Sequence, residues 1–72
     1  MKENWTRIFT AKEVYQAKIA EDVLKQNGIE SHIINKRDSA IPAIGIAELY
    51  TPNEKAEAAI KVLQENDIKD AA

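Results

Sequence analysis

Gln16–Ile29 reads QAKIAEDVLKQNGI and Lys55–Ile68 reads KAEAAIKVLQENDI. The two align without a gap, and six of fourteen positions are identical: Ala17/Ala56, Ala20/Ala59, Val23/Val62, Leu24/Leu63, Asn27/Asn66 and Ile29/Ile68. The identities fall at helical spacing and finish on an apolar residue placed to enter a strand. A helix-then-strand unit is therefore used twice, and the rest of the chain is read outward from it.

Upstream of the first copy, Thr6–Thr10 alternates as a strand does: Trp5, Arg7 and Phe9 point one way, Thr6, Ile8 and Thr10 the other. Thr10-Ala-Lys-Glu13 then has the form of a capping box. A helix is predicted from about Ala11 to Asn27, with Gly28 as its left-handed stop. The same start recurs at Thr51-Pro-Asn-Glu54, with proline at the first helical position, and predicts a second helix from Pro52 to Asn66. Between the helices, Ile29–Ile34 and Ile46–Thr51 alternate with period two and are too short for helices, which excludes an all-helical chain. Asn35–Gly45 joins them and is long for a hairpin connection. Ile68 opens a fourth strand that is short, frayed or absent. The order β-α-β-β-α-(β), with right-handed crossovers, predicts an α+β chain of the ferredoxin-like, split βαβ kind. Its antiparallel sheet carries two helices on one face. Residues 1–72 form a single small domain in this reading, ordered from about residue 4 to about residue 66.

The Trp5-initiated strand, Ala17…Leu24…Asn27-Gly28-Ile29, Asn35-Lys36-Arg37-Asp38-Ser39, and Glu48-Leu49-Tyr50 before an acidic helix carry a resemblance over roughly Trp5 to Leu63. In these the chain resembles a prokaryotic signal-transducing protein family, a domain of unknown function with a fold similar to PII (GlnB-like) proteins. The resemblance implies that fold and a signalling label drawn from fold analogy, and it brings no catalytic residues. Some relatives carry cysteine metal motifs; this chain has no cysteine, so no zinc role follows.

A chain of 72 residues buries only about 60% of the surface its unfolded form exposes. Such a core supplies roughly 3–5 kcal/mol of net stability, and small domains often add a staple. With no cysteine and one histidine, disulfides, thiolate sites and histidine-rich metal sites are excluded, which leaves homodimer formation as the expected staple. Net charge is −2 and the pI about 5.3, so the basic footprint of a phosphate-backbone binder is missing. MKENWTRIFT has no apolar signal region, and the longest mainly apolar run, Ala40–Ala47, is short and broken by Pro42 and Gly45. No membrane role and a cytoplasmic location are expected.

Val14, Ala17, Ala20 and Leu24 share one helical face, flanked by Val23; Ala56, Ala59, Ile60 and Leu63 share another, flanked by Val62. These faces are the predicted core. Tyr15, Ile19 and Val23 make a further stripe, either a partner surface or scattered exposed apolar residues. If Ile8, Ala47 and Leu49 point at the helices, then Trp5, Arg7, Phe9, Ile46, Glu48 and Tyr50 occupy the open side of the sheet, with Arg7 and Glu48 placed to pair. Two copies are expected to associate through that aromatic face, so the candidate interface residues are Trp5, Arg7, Phe9, Glu48, Tyr50, Tyr15 and Ile19. An RNA-binding sheet is disfavoured, because Ile46–Tyr50 lacks the basic-glycine-aromatic signature and the chain is acidic. Asn35, Lys36, Arg37, Asp38 and Ser39 combine cations, amides and a hydroxyl suited to a small anion, or serve only as a solvated loop tip. His32 reads as an ordinary strand residue. No nucleophile–base pair, phosphate loop or metal cluster stands out. The expectation is a non-enzymatic regulatory module without a cofactor, binding a small ligand or protein partner; the alternative is a protein-interaction adaptor without a ligand.

Overall fold

The computed structural model describes residues 4–35 and 47–68. Its elements are β1 (Trp5–Ala11), α1 (Val14–Gln26), β2 (His32–Asn35), β3 (Ala47–Pro52), a 3-10 turn (Asn53–Lys55) and α2 (Ala56–Glu65). They form a small α+β unit whose three-stranded sheet has the order β1-β3-β2, with β3 antiparallel to both neighbours. The helices pack on each other and on β1 and β3. A single apolar cluster joins both of them to one face of the sheet.

Small side chains let these layers approach. Ala11 and Ala47 from the sheet, Ala17 and Ala20 from α1, and Ala59 from α2 are all fully buried, and Phe9, Leu24, Leu49 and Leu63 fill the space between. On α1 the expected face is the core face, with Val14 and Val23 half-buried at its margins. On α2 the agreement is partial, because Ile60 is 40% exposed. It lies one residue past Ala59, about 100° further around the helix. That flank borders the outer edge of β1, where no described strand lies.

The alternation expected along β1 is broken. Trp5, Thr6 and Arg7 pair with Pro52, Thr51 and Tyr50; Phe9, Thr10 and Ala11 pair with Leu49, Glu48 and Ala47. Ile8 is the residue too many, a β-bulge that resets which side chains face which way. Phe9, expected on the open face, is instead opposite Leu49 and buried in the core. Ile8, expected under the helices, is half-buried beside the strand edge.

Both predicted capping boxes also fail. β1 continues through Thr10 and Ala11, which pair with β3, so α1 is capped from Glu13, whose N–H donates to Gln16 Oε1 at 3.4 Å. Thr51 is likewise held in β3 opposite Thr6; its hydroxyl is buried and has no partner among the described residues. Pro52 ends the strand, and the Thr6 hydroxyl donates to Asn53 Oδ1 at 2.6 Å across the following turn. In both places strand pairing takes the threonine that local sequence offers to a helix.

The helix ends, by contrast, repeat atom for atom. After α1, the N–H groups of Gly28 and Ile29 donate to the carbonyls of Lys25 and Leu24 at 3.0 and 2.9 Å. After α2, those of Asp67 and Ile68 donate to Gln64 and Leu63 at 3.1 and 2.9 Å. Both are Schellman stops. The side-chain amides of Asn27 and Asn66 donate to the carbonyls of Val23 and Val62 at 2.8 and 2.9 Å. Four of the repeated identities thus serve one device, a stop that returns Ile29 or Ile68 towards the core. The stop differs at one position: Gly28 has φ +76° and Asp67 has φ +59°. An L side chain in that region costs about 1 kcal/mol. Gly28→Ala is therefore expected to lose about 1 kcal/mol, even though an added Cβ meets no atom within 4 Å. Asp67→Gly is expected to gain up to about 1 kcal/mol by relieving the same strain. Urea midpoints at unchanged slope measure both.

Candidate functional site

The sheet face turned away from the helices is built by register. Arg7, Tyr50 and His32 stand directly opposite one another across the strands. Trp5 and Pro52 form the next row on one side, and Thr10, Glu48 and Ile34 the next row on the other. Its centre is the Glu48 carboxylate. Glu48 Oε2 accepts from Arg7 Nη1 at 3.0 Å, and Oε1 accepts from the Tyr50 hydroxyl at 3.1 Å. The expected Arg7–Glu48 pair therefore forms, although diagonally, since Arg7 is opposite Tyr50.

The pair is asymmetric. The Arg7 side chain is 56% exposed and that of Glu48 13%. An exposed guanidinium adds little to stability, but it offers donors to an incoming acceptor. Burial pushes the Tyr50 phenol above its ordinary value of 10.0. Its bond to Glu48 and that residue's negative charge push the same way, and Arg7 opposes them. Tyr50 therefore remains a neutral donor locked to Glu48. Beyond it, the Trp5 ring meets the His32 ring edge-on, centroids 4.9 Å apart and planes at 63°.

Of the residues proposed for this surface from sequence, Trp5, Arg7, Glu48 and Tyr50 come together and Phe9 does not. His32 joins them although its sequence context marks it as ordinary; only the β2–β3 register, which sets it beside Tyr50, brings it in. Tyr15 and Ile19 are 63% and 53% exposed but lie on α1, outside this face, while Val23 packs against the core. Asn35 closes β2 and is exposed. Lys36, Arg37, Asp38, Ser39 and Ile46, and the residues after Ile68 that the expected fourth strand needs, lie outside the described residues.

The face combines aromatic edges, one open guanidinium and an occupied carboxylate, an arrangement suited to recognition. Among the described residues no group of three His, Cys, Asp or Glu side chains is placed to hold a metal ion. No described helix is long and apolar enough to cross a membrane. Comparison of the chain with protein-family models, with curated proteins and with solved structures gave no match.

Proposed function

We propose that the chain is a non-enzymatic regulatory module, cytoplasmic and of bacterial type, that recognises a small ligand or a protein partner on its open sheet face. In this reading the α+β unit is a ferredoxin-like split βαβ sandwich, akin to the PII-like signal-transducing family, and it works as a homodimer. The observation that carries the reading is the gathering of Trp5, Arg7, His32 and Tyr50 on the side that the helices leave uncovered.

A ligand selective for the folded state stabilises it by mass action, by about 2.7 kcal/mol at a hundredfold excess over Kd, and so raises the melting temperature. The test is a thermal-shift screen with small carboxylates, phosphates and aromatic metabolites, followed by Trp5 fluorescence. Trp5 is the sole tryptophan, so its emission reports this face alone. A binder is expected to shift both signals and to lose at least tenfold in affinity in Arg7→Ala. A binder that leaves Trp5 emission unmoved and binds Arg7→Ala normally puts the site elsewhere.

The exposure of Tyr15 and Ile19, one helical turn apart on α1, favours a second reading as a ligand-free adaptor. In that case the metabolite screen gives no shift, and Tyr15→Ala with Ile19→Ala removes partner binding.

A further inference from the structure

β1 is the longest of the strands, Trp5–Ala11, yet among the described residues it stands at the edge of the sheet and pairs with β3 alone. Edge strands are usually shielded by charge, proline, shortness, a β-bulge or a cover, because their open N–H and C=O groups pair with any available strand. β1 has the bulge at Ile8, with regular pairing to β3 on both sides of it. Trp5–Phe9 has one charged residue, Arg7, and its guanidinium is drawn over the open face to Glu48. The bulge places Ile8 beside the edge. There Ile8, Ile60, Leu63 and Ile68 line an open groove running from β1 to α2. The exposure of Ile60, at a position where the helical pattern calls for core, belongs to this flank of α2, beneath which no described strand lies.

We propose that a second copy of the chain docks at this edge, β1 antiparallel to β1 of its partner, to make one continuous sheet with α2 against α2. Charge complementarity selects this occupant. Glu57 and Lys61 flank Ile60 on the outer side of α2 and form no ion pair among the described residues. A two-fold axis that makes the strands antiparallel also makes the helices antiparallel. With the axis near Ala59, Glu57 of each copy meets Lys61 of the other, and the two Ile60 side chains enter the facing grooves. Such an interface is self-complementary by symmetry. It moves the homodimer from the aromatic face to the sheet edge and leaves Trp5, Arg7, His32 and Tyr50 outside the interface on both copies. It stands whether or not that face binds a ligand.

Sedimentation equilibrium on wild type, Glu57→Lys, Lys61→Glu and the double exchange tests the arrangement, with hydrogen exchange of the Trp5–Phe9 amides at low and high concentration. Wild type is expected to dimerise, each single reversal to weaken association about tenfold through like-charge contacts, and the double exchange to restore it. The Trp5–Phe9 amides should gain protection as the dimer forms. Three results overturn the proposal. The first is a monomer up to millimolar concentration. The second is a dimer indifferent to both single reversals but lost in Arg7→Ala, which places association on the open face. The third is β1 protection independent of concentration, which means that the edge is closed within one chain. The exchanged residues are exposed, so loss of folding does not confuse the outcome.

Discussion

Phe9→Ala is expected to leave the chain largely unfolded. Truncating a buried phenylalanine costs about 3–5 kcal/mol, and a core of this size supplies roughly 3–5 kcal/mol in all. Phe9 is the one aromatic ring in the buried cluster, opposite Leu49 in the sheet and only 3% exposed. Ile8→Ala, one residue earlier, is expected to cost less than about 2 kcal/mol, because a half-buried side chain at an edge leaves little cavity. Trp5→Ala, on the open face, should cost less than Phe9→Ala as well. Far-UV circular dichroism through a urea titration measures all three. The order matters more than the values: an unbulged β1 puts Ile8 under the helices and Phe9 in solvent, and then Ile8→Ala is the more damaging. That reversal would falsify the register described for β1.

The same residues show what the sequence can and cannot reveal. The helix stops were legible because a Schellman stop is local. Val23, Leu24, Asn27, Gly28 and Ile29 make their hydrogen bonds within a few residues, so the repeat in letters is a repeat in atoms. The bulge was not legible, because it is a relation between β1 and β3 rather than a property of β1. Period-two reading assumes an unbroken pleat, and one extra residue moved Phe9 to the other face. The caps failed for the same reason: Thr10 and Thr51 have good local cap chemistry, and long-range strand pairing overrode it. The helical pattern does not settle the place of Ile60, because its environment depends on what lies beside β1 beneath α2. For the candidate site, Trp5, Arg7, Glu48 and Tyr50 follow from alternation within the stretches on either side of the bulge. His32 enters only through the β2–β3 register, which no local pattern encodes.

Glu48→Ala is the second large effect expected, about 1.5–3 kcal/mol, since hydrogen bonds to a charged group contribute on that scale. Most of this loss should come from the Tyr50 side. The Arg7 guanidinium is more than half exposed and regains water when its partner is removed, so Arg7→Ala should cost under about 1 kcal/mol. Glu48→Gln separates charge from shape, and its signature lies at alkaline pH. In the folded chain the Tyr50 phenol is raised above 10.0, first by burial and then by Glu48. The unfolded chain holds that proton less tightly. Stability tied to the neutral phenol is therefore fully present below about pH 10 and is lost as pH rises through the raised folded value. Removing the negative charge narrows the gap between the two states, with Arg7 still pulling the phenol down. Glu48→Gln should thus begin less stable than wild type at neutral pH and lose less on alkaline titration, so that the two curves converge. Urea midpoints at neutral and alkaline pH report this directly. Parallel curves would mean that burial alone holds the phenol, and that Glu48 orders the face without setting its charge state.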